Sequence, residues 1–185
     1  MVSYTVPGLK AGSAEKIVKL LQDRLNSLSD LALTLKHVHW NVVGPNFIAV
    51  HTMLDPQVDA VRAMTDDTAE RIATLGGSPS GTPGALVAQR TWDDYSIGRA
   101  GTIEHLAALD IVYAGVIESH RAAIDTTDEL DLVTQDLLIG QTQQLEQFQW
   151  FVRPHLEQPD GTLSTAGART ERQAAKSAKP GKAAR

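Results

Sequence analysis

The chain of 185 residues is long enough for one domain with a single sizeable core. It contains no cysteine, which excludes disulfide scaffolds, thiolate zinc sites, iron–sulfur clusters and cysteine nucleophiles. Aromatic residues make up only 5%, which is low for a large β-sandwich or barrel. The first residues lack the pattern of a signal peptide, and no uncharged apolar stretch reaches about 18 residues. We therefore expect a cytoplasmic protein that does not enter a membrane.

Charge is divided unevenly along this chain, whose formal net charge is −5. Residues 163–185 contain six basic residues and one acidic residue, so this segment carries +5 and the rest of the chain carries −10. The basic residues are Arg169, Arg172, Lys176, Lys179, Lys182 and Arg185. An acidic body attracts cations, whereas a basic segment attracts polyanions.

Four long segments repeat apolar residues at three- and four-residue spacing, which is typical of helices with one buried face. These predicted helices cover residues 14–42, 47–75, 99–125 and 130–157. Glycine, proline and serine are frequent in residues 76–98, which predicts a long crossover with a short helix at 83–90. Large apolar residues become rare after Pro159. We therefore expect a folded unit over residues 1–160 and a disordered basic tail over residues 161–185.

Four helices with one long connection between the second and third predict an all-α, ferritin-like four-helix bundle. Such bundles commonly hold two iron ions inside, bound by Glu-x-x-His motifs on two of the helices. No glutamate of this chain has a histidine three residues later. The sequence therefore excludes the usual di-iron site inside the bundle.

The second helix instead places four potential metal ligands on one narrow face, namely His51, Asp55, Asp66 and Glu70. Asp55 and Asp66 are about 16 Å apart along the helix axis, which is too far for one metal ion to contact both. Positions 51 and 70, like positions 55 and 66, are symmetric about a point between residues 60 and 61. An antiparallel second copy of the helix would therefore complete two equivalent sites per dimer. One imidazole among carboxylates suits iron, manganese or zinc.

The end of the first helix offers two further histidines, His37 and His39. Their side chains would point about 200° apart around the helix axis, so only one of them can contribute to such a site.

The segment LKHVHWNVVGPNFIAVHTMLD (35–55), followed by Asp66, Glu70 and Arg71, resembles the Dps proteins, the miniferritins or DNA-binding proteins from starved cells. The resemblance covers about residues 5–157. It implies a hollow homo-dodecamer in which hydrogen peroxide oxidises two Fe(II) ions at each site shared by two subunits, and ferric mineral is stored inside. The family's ligands fall on His39, His51 and Asp55 of one subunit and on Asp66 and Glu70 of its neighbour. Trp40 matches a tryptophan beside that site and is expected to take part in the chemistry.

Two further expectations follow from this resemblance. Acidic residues between the third and fourth helices would line an iron-entry pore, with Asp128 and Asp131 as the candidates, although a solvated loop explains them equally well. The six basic residues of the tail would bind DNA without sequence preference, because they neutralise phosphates and have no aromatic residues between them. The protein would then be associated with the nucleoid and protect DNA from iron and peroxide.

Two other functions remain open from the sequence. A purely structural DNA-compacting shell would keep the bundle and the basic tail without ferroxidase activity. A hydrolytic dimetal enzyme would use the same ligand types but would need an open substrate cleft, which a long bundle with a self-complementary helix face does not offer.

Overall fold

The computed structural model describes residues 4–178, which form six α-helices and two very short strands. The elements in chain order are α1 (Ala11–Asn41), β1 (Val42–Val43), α2 (Phe47–Thr74), α3 (Pro83–Gln89), β2 (Ala100–Gly101), α4 (Thr102–Thr127), α5 (Leu132–Val152) and α6 (Glu171–Ser177). A single 3-10 turn, Arg153–His155, extends the end of α5. Within residues 4–178, no helix is long and apolar enough to cross a lipid bilayer.

The four long helices form one bundle, in which α1 packs chiefly against α2 and α4 packs chiefly against α5. The 31 residues of α1 correspond to a length of about 46 Å. Leucine and isoleucine side chains of α1 and α2 meet those of α4 and α5 in the interior, where the largest fully buried side chain is Tyr113. The prediction of an all-α four-helix bundle is confirmed.

The long connection from α2 to α4 is held along α1 by polar contacts. Gln22 bonds both backbone groups of Ser80, and Asp30 accepts from Arg90 and from the indole nitrogen of Trp92. The short helix α3 lies within this crossover, and the hydroxyl of Thr82 caps its first turn. These contacts hold the crossover along α1, and Leu86 and Tyr95 pack its apolar side chains against the bundle.

The turn between α1 and α2 is tied to the start of α4. Val42 and Val43 pair in parallel with Ala100 and Gly101, and the Thr102 hydroxyl donates to the carbonyl oxygen of Pro45 at 3.1 Å. Asn46, the residue before α2, adopts a left-handed conformation with φ of 62°. Asparagine tolerates this region better than most residues, which allows the chain to reverse direction within five residues.

The structure differs from the sequence-based expectation over residues 161–178, which are folded against the bundle. Thr165 donates to the buried carboxylate of Asp110 at 2.9 Å, and α6 packs on α4 with Ala174 fully buried. The carboxylate of Glu171 accepts two hydrogen bonds from Ser96, at 2.7 Å from the backbone nitrogen and 2.6 Å from the hydroxyl. This segment cannot form a core alone, but small alanine side chains and polar anchors suffice for docking on an existing surface. Residues 179–185, the rest of the predicted tail, lie outside the described residues.

Candidate metal centre

Two histidines face each other where α1 ends and α2 begins. His39 comes from the last turn of α1, and His51 comes from the second turn of α2. Their rings are stacked, with centroids 3.6 Å apart and planes inclined by 24°. Because the connecting turn is short and anchored to α4, the two rings are held in register by the backbone.

Each of these histidines is hydrogen-bonded to the backbone of the other. His39 Nδ1 donates to the carbonyl oxygen of His51 at 3.0 Å, and His51 Nδ1 donates to the carbonyl oxygen of His39 at 2.9 Å. A carbonyl oxygen can only accept, so these bonds place the proton of each neutral ring on Nδ1. Nε2 of each ring then carries a lone pair, which is the arrangement that metal-binding histidines use.

Asp55 lies one helical turn after His51 and completes a group of three potential ligands. Its side chain is 49% exposed, and Oδ1 lies 3.3 Å from His39 Nδ1 and 2.9 Å from Lys36 Nζ. The hydrogen bond from Lys36, together with the charge of its ammonium group, holds the pKa of the Asp55 carboxyl below its usual value. Asp55 is therefore ionised at neutral pH, as a metal ligand must be.

Lys36 is a residue of this site that sequence reasoning missed. It lies three residues before His39, so both occupy the same face of α1, and that spacing was the available signal. In this structure its ammonium group occupies the position beside Asp55 that a cation would take. Phe47 was also missed. Its ring lies against that of His51, with the two ring centroids 5.0 Å apart.

Asp66 and Glu70 lie farther along α2, and both are exposed. Over the part of one subunit that the structure describes, no three histidine or carboxylate residues are grouped so that they could hold a metal ion. Assignment of His39, His51, Asp55, Asp66 and Glu70 to one metal site therefore stays a prediction that requires a second subunit.

Comparisons with known proteins identify the family of this chain. The ferritin-like domain family matches residues 18–161. The DNA protection during starvation protein of Mycolicibacterium smegmatis is 58% identical over 179 residues, covering 97% of this chain and 98% of that protein. This chain belongs to the Dps family.

A solved structure and a second relative are also similar to this chain. A solved structure of Mycobacterium smegmatis Dps superposes with a TM-score of 0.89 at 59% identity, covering 92% of this chain and 97% of that chain. The fine tangled pili major subunit of Haemophilus ducreyi is 49% identical over 160 residues, covering 86% of this chain and 85% of that protein. The family membership expected from residues 35–71 is confirmed.

The remaining Dps-type residue at this end of the bundle is Trp40, which is 71% exposed. Phe47 and Ile48 are also exposed beside it. The role of Trp40 stays a prediction.

The two acidic residues predicted at the Dps pore have different environments in the structure. Asp131 caps the first turn of α5 and forms an ion pair with Arg71 at 2.6 Å. Burial alone would raise the pKa of Asp131, but hydrogen bonds from Thr134 and Arg71 hold it below its usual value. Asp131 is thus engaged inside the subunit, whereas Asp128 is exposed and accepts one hydrogen bond from Gln135 at 3.0 Å.

The predicted DNA-binding residues fall into two groups. Arg169, Arg172 and Lys176 are exposed on or beside α6. The predictions for Lys179, Lys182 and Arg185 lie outside the described residues. The described basic residues are therefore presented from a docked helix and not from a free tail.

Proposed function

We propose that this Dps-family protein stores and detoxifies iron as a hollow homo-dodecamer. Fe(II) is the substrate and hydrogen peroxide the oxidant, at sites that two subunits share and that each hold two iron ions. His39, His51 and Asp55 of one subunit bind the metal together with Asp66 and Glu70 of a second copy. The observation that carries this proposal is the pair of reciprocal Nδ1–carbonyl hydrogen bonds, which leave an Nε2 lone pair on each ring, while the Asp55 carboxylate lies 3.3 Å from His39 Nδ1.

The residues of the site favour oxidation of Fe(II) because imidazole and carboxylate ligands stabilise the higher charge of Fe(III). Two Fe(II) ions supply one electron each, and peroxide takes both electrons and two protons as its O–O bond breaks to give two water molecules. Consuming both electrons at one site prevents release of hydroxyl radical. The acidic body of the protein, at a net charge of −10 before residue 163, attracts Fe(II) toward the shell.

The first test replaces a ligand and follows ferric absorbance in anaerobic Fe(II)-loaded protein during titration with hydrogen peroxide. His51→Gln should lower the oxidation rate at least roughly tenfold, because the ring nitrogen is lost. His155→Gln is the matched control, since His155 is exposed on the turn after α5. Equal rates in the two variants would favour the alternative of a DNA-compacting shell without ferroxidase activity.

Sharing of the site between subunits is tested by mixing inactive variants. In a mixed His51→Gln and Asp66→Asn dimer, one site carries both defects and the other carries neither. Random co-assembly should therefore restore about a quarter of the sites. Co-assembly of His51→Gln with Asp55→Asn restores none, because both residues lie on the same side of the shared site. Rescue in the second mixture, or its absence in the first, would contradict the shared arrangement.

We further propose that the shell binds DNA through the basic C-terminal residues and acts in the cytoplasm at the nucleoid. The name of the Mycolicibacterium smegmatis relative, a DNA protection protein, supports this part of the proposal. The exposed basic residues Arg169, Arg172 and Lys176 would contact phosphates without reading bases.

A further inference from the structure

A large cavity lies between α1 and α4. Its volume is about 1070 Å³, and the crossover residues 91–96 and the start of α6 form its rim. A second cavity of about 430 Å³ continues between the same two helices. Arg24 and Ser119 line both cavities, so they lie at the junction. We name the larger space the α1–α4 cavity.

Arg24 is a partly buried arginine without a carboxylate partner. It donates to the hydroxyl of Ser119, and it forms no ion pair within the described part of the chain. Burial lowers the pKa of Arg24, which the exposed neighbour Asp23 offsets only in part. A guanidinium group stays charged in proteins, so this partly buried positive charge is compensated only in part.

Four acidic residues line the α1–α4 cavity, and three of them are held by hydrogen bonds or ion pairs at its wall. Asp30 accepts from Arg90 and Trp92, and Glu171 accepts twice from Ser96. Asp94 is paired with Arg90, which leaves Asp93 at the exposed edge.

The basic side chains at the rim, by contrast, are available to bind a ligand. Arg169 and Arg172 are exposed, and neither forms an ion pair with any residue between positions 4 and 178. Three guanidinium groups without carboxylate partners therefore border one cavity in a protein whose body is strongly acidic.

We infer that the α1–α4 cavity binds a phosphate group, which Arg24 holds from the junction while Arg169 and Arg172 hold it from the rim. Guanidinium groups present paired N–H donors that match the spacing of phosphate oxygens. The volume exceeds that of a single phosphate ion, and Trp92 and Tyr95 form an aromatic wall, so a phosphate ester also fits. Arg24 lies 15 residues before His39 on α1, about 22 Å along the helix, so this site is separate from the metal centre.

The test is calorimetric titration of the assembled, metal-free, full-length protein with inorganic phosphate in a phosphate-free buffer. We expect one saturable site per subunit. Arg24→Gln should weaken binding at least roughly tenfold, because it removes a charge-assisted partner. Arg121→Gln is the matched control, since Arg121 is exposed on α4, pairs with Glu146 and does not line the cavity.

Thermal unfolding separates a ligand site from a structural arginine. Phosphate should raise the Tm of the unsubstituted protein and leave that of Arg24→Gln unchanged. Without phosphate, Arg24→Gln should be at least as stable as the unsubstituted protein, because an uncompensated charge has gone. If Arg24→Gln does not fold, Arg172→Gln on the exposed face of α6 should still weaken phosphate binding several-fold.

Absence of saturable phosphate binding, or unchanged affinity in Arg172→Gln and Arg24→Gln, would overturn the inference. Competition identifies the source of the phosphate group when binding is found. Displacement of inorganic phosphate by a short DNA duplex indicates that backbone phosphates enter the cavity, whereas retention of bound phosphate indicates a small free anion. Both competition results support the site, and neither depends on ferroxidase activity.

Discussion

In His39 and His51, the hydrogen bond made by Nδ1 determines which ring nitrogen is available to bind a metal ion. Each ring uses Nδ1 on a backbone carbonyl, so its tautomer and its orientation are set before any ion arrives. Stacking of the two rings at 3.6 Å further restricts their rotation. Less rotational freedom has to be lost on binding, which favours affinity.

Asp66 and its neighbour Asp67 provide a matched pair for testing the second half of the site. Both are exposed on α2, but successive residues point about 100° apart, so only Asp66 shares the face of His51. Asp66→Asn should weaken binding of a divalent probe such as Co²⁺ by at least roughly tenfold, and Asp67→Asn should leave it unchanged. Spectroscopic titration measures both. Equal loss in the two variants would indicate a general charge effect and contradict a specific ligand role.

His120 is a buried histidine on the interior of the bundle. Its ring is fully buried, Nδ1 donates to the Val116 carbonyl at 3.0 Å, and Nε2 has no hydrogen-bond partner among the described residues. Burial, with the nearby charge of Arg24, lowers the pKa of His120 to about 4 from an ordinary value of 6.5. The folded protein therefore keeps this ring neutral under conditions in which the unfolded chain protonates it.

The pKa of His120 predicts a dependence of stability on pH. Between pH 6.5 and pH 4 the unfolded state binds a proton that the folded state does not, so the free energy of unfolding falls as the pH falls. The loss attributable to this group is about 1 kcal/mol per pH unit and about 3 kcal/mol over the whole window. Thermal unfolding at several pH values should show a flatter profile for His120→Gln than for His155→Gln. Parallel profiles would contradict this assignment.

The hairpin of α1 and α2 is the element on which the metal centre depends. It reverses direction through Asn46 at φ of 62°, and the β1–β2 pairing together with Thr102 fixes the turn to α4. Residues 12 positions apart in sequence thereby face each other across the hairpin. Helical periodicity predicts which face each residue occupies, but contact between the two faces requires this turn.

The docking of α6 depends on few anchors, and Glu171 is the one that joins α6 to the crossover. Glu171→Gln removes the charge from both hydrogen bonds to Ser96, which should cost about 1–3 kcal/mol of local stability. Hydrogen exchange should then become faster in residues 161–178 while the four long helices stay protected. Glu157→Gln, at an exposed position before this segment, is the control. Unchanged exchange in Glu171→Gln would show that the buried alanines alone hold α6.

At the scale of the whole molecule, charge is segregated between an acidic bundle and a basic C-terminal segment. If the proposed shell forms, assembly multiplies both effects, because a large acidic surface attracts cations and many basic segments together attract a polyanion. The described basic residues of this segment are exposed on or beside α6, which packs on α4 of the acidic bundle.

Salt dependence of DNA binding tests this segregation. A chain ending after Ala178 lacks three of the six basic residues of the C-terminal segment. Each phosphate contact contributes about 0.9 to the slope of log affinity against log salt concentration. For each C-terminal segment bound to DNA, loss of three contacts should therefore reduce the steepness of this slope by about 3. Electrophoretic mobility measured over a range of salt concentrations gives the slope. A variant with Lys10, Lys16 and Lys19 changed to Gln loses the same charge and should keep the original slope, and an equal fall in both would assign the effect to net charge alone.

Local pattern was sufficient to predict the helices, the crossover with its short helix, and the face of α2 that carries His51, Asp55, Asp66 and Glu70. These features follow from helical periodicity and from the spacing of residue types within one element, which a sequence displays directly. The family resemblance of residues 35–71 rests on the same kind of local spacing.

Only the tertiary structure decided which groups meet between elements. It pairs Lys36 with Asp55 and Arg71 with Asp131. It also brings the rings of His39 and His51 within hydrogen-bonding distance of each other's backbone carbonyl oxygens. It also folded residues 161–178 onto α4, although their composition alone favours disorder. A segment poor in large apolar side chains cannot build a core, but it can dock on one that other residues supply. Local composition does not contain that information, because the stabilising surface belongs to a distant part of the chain.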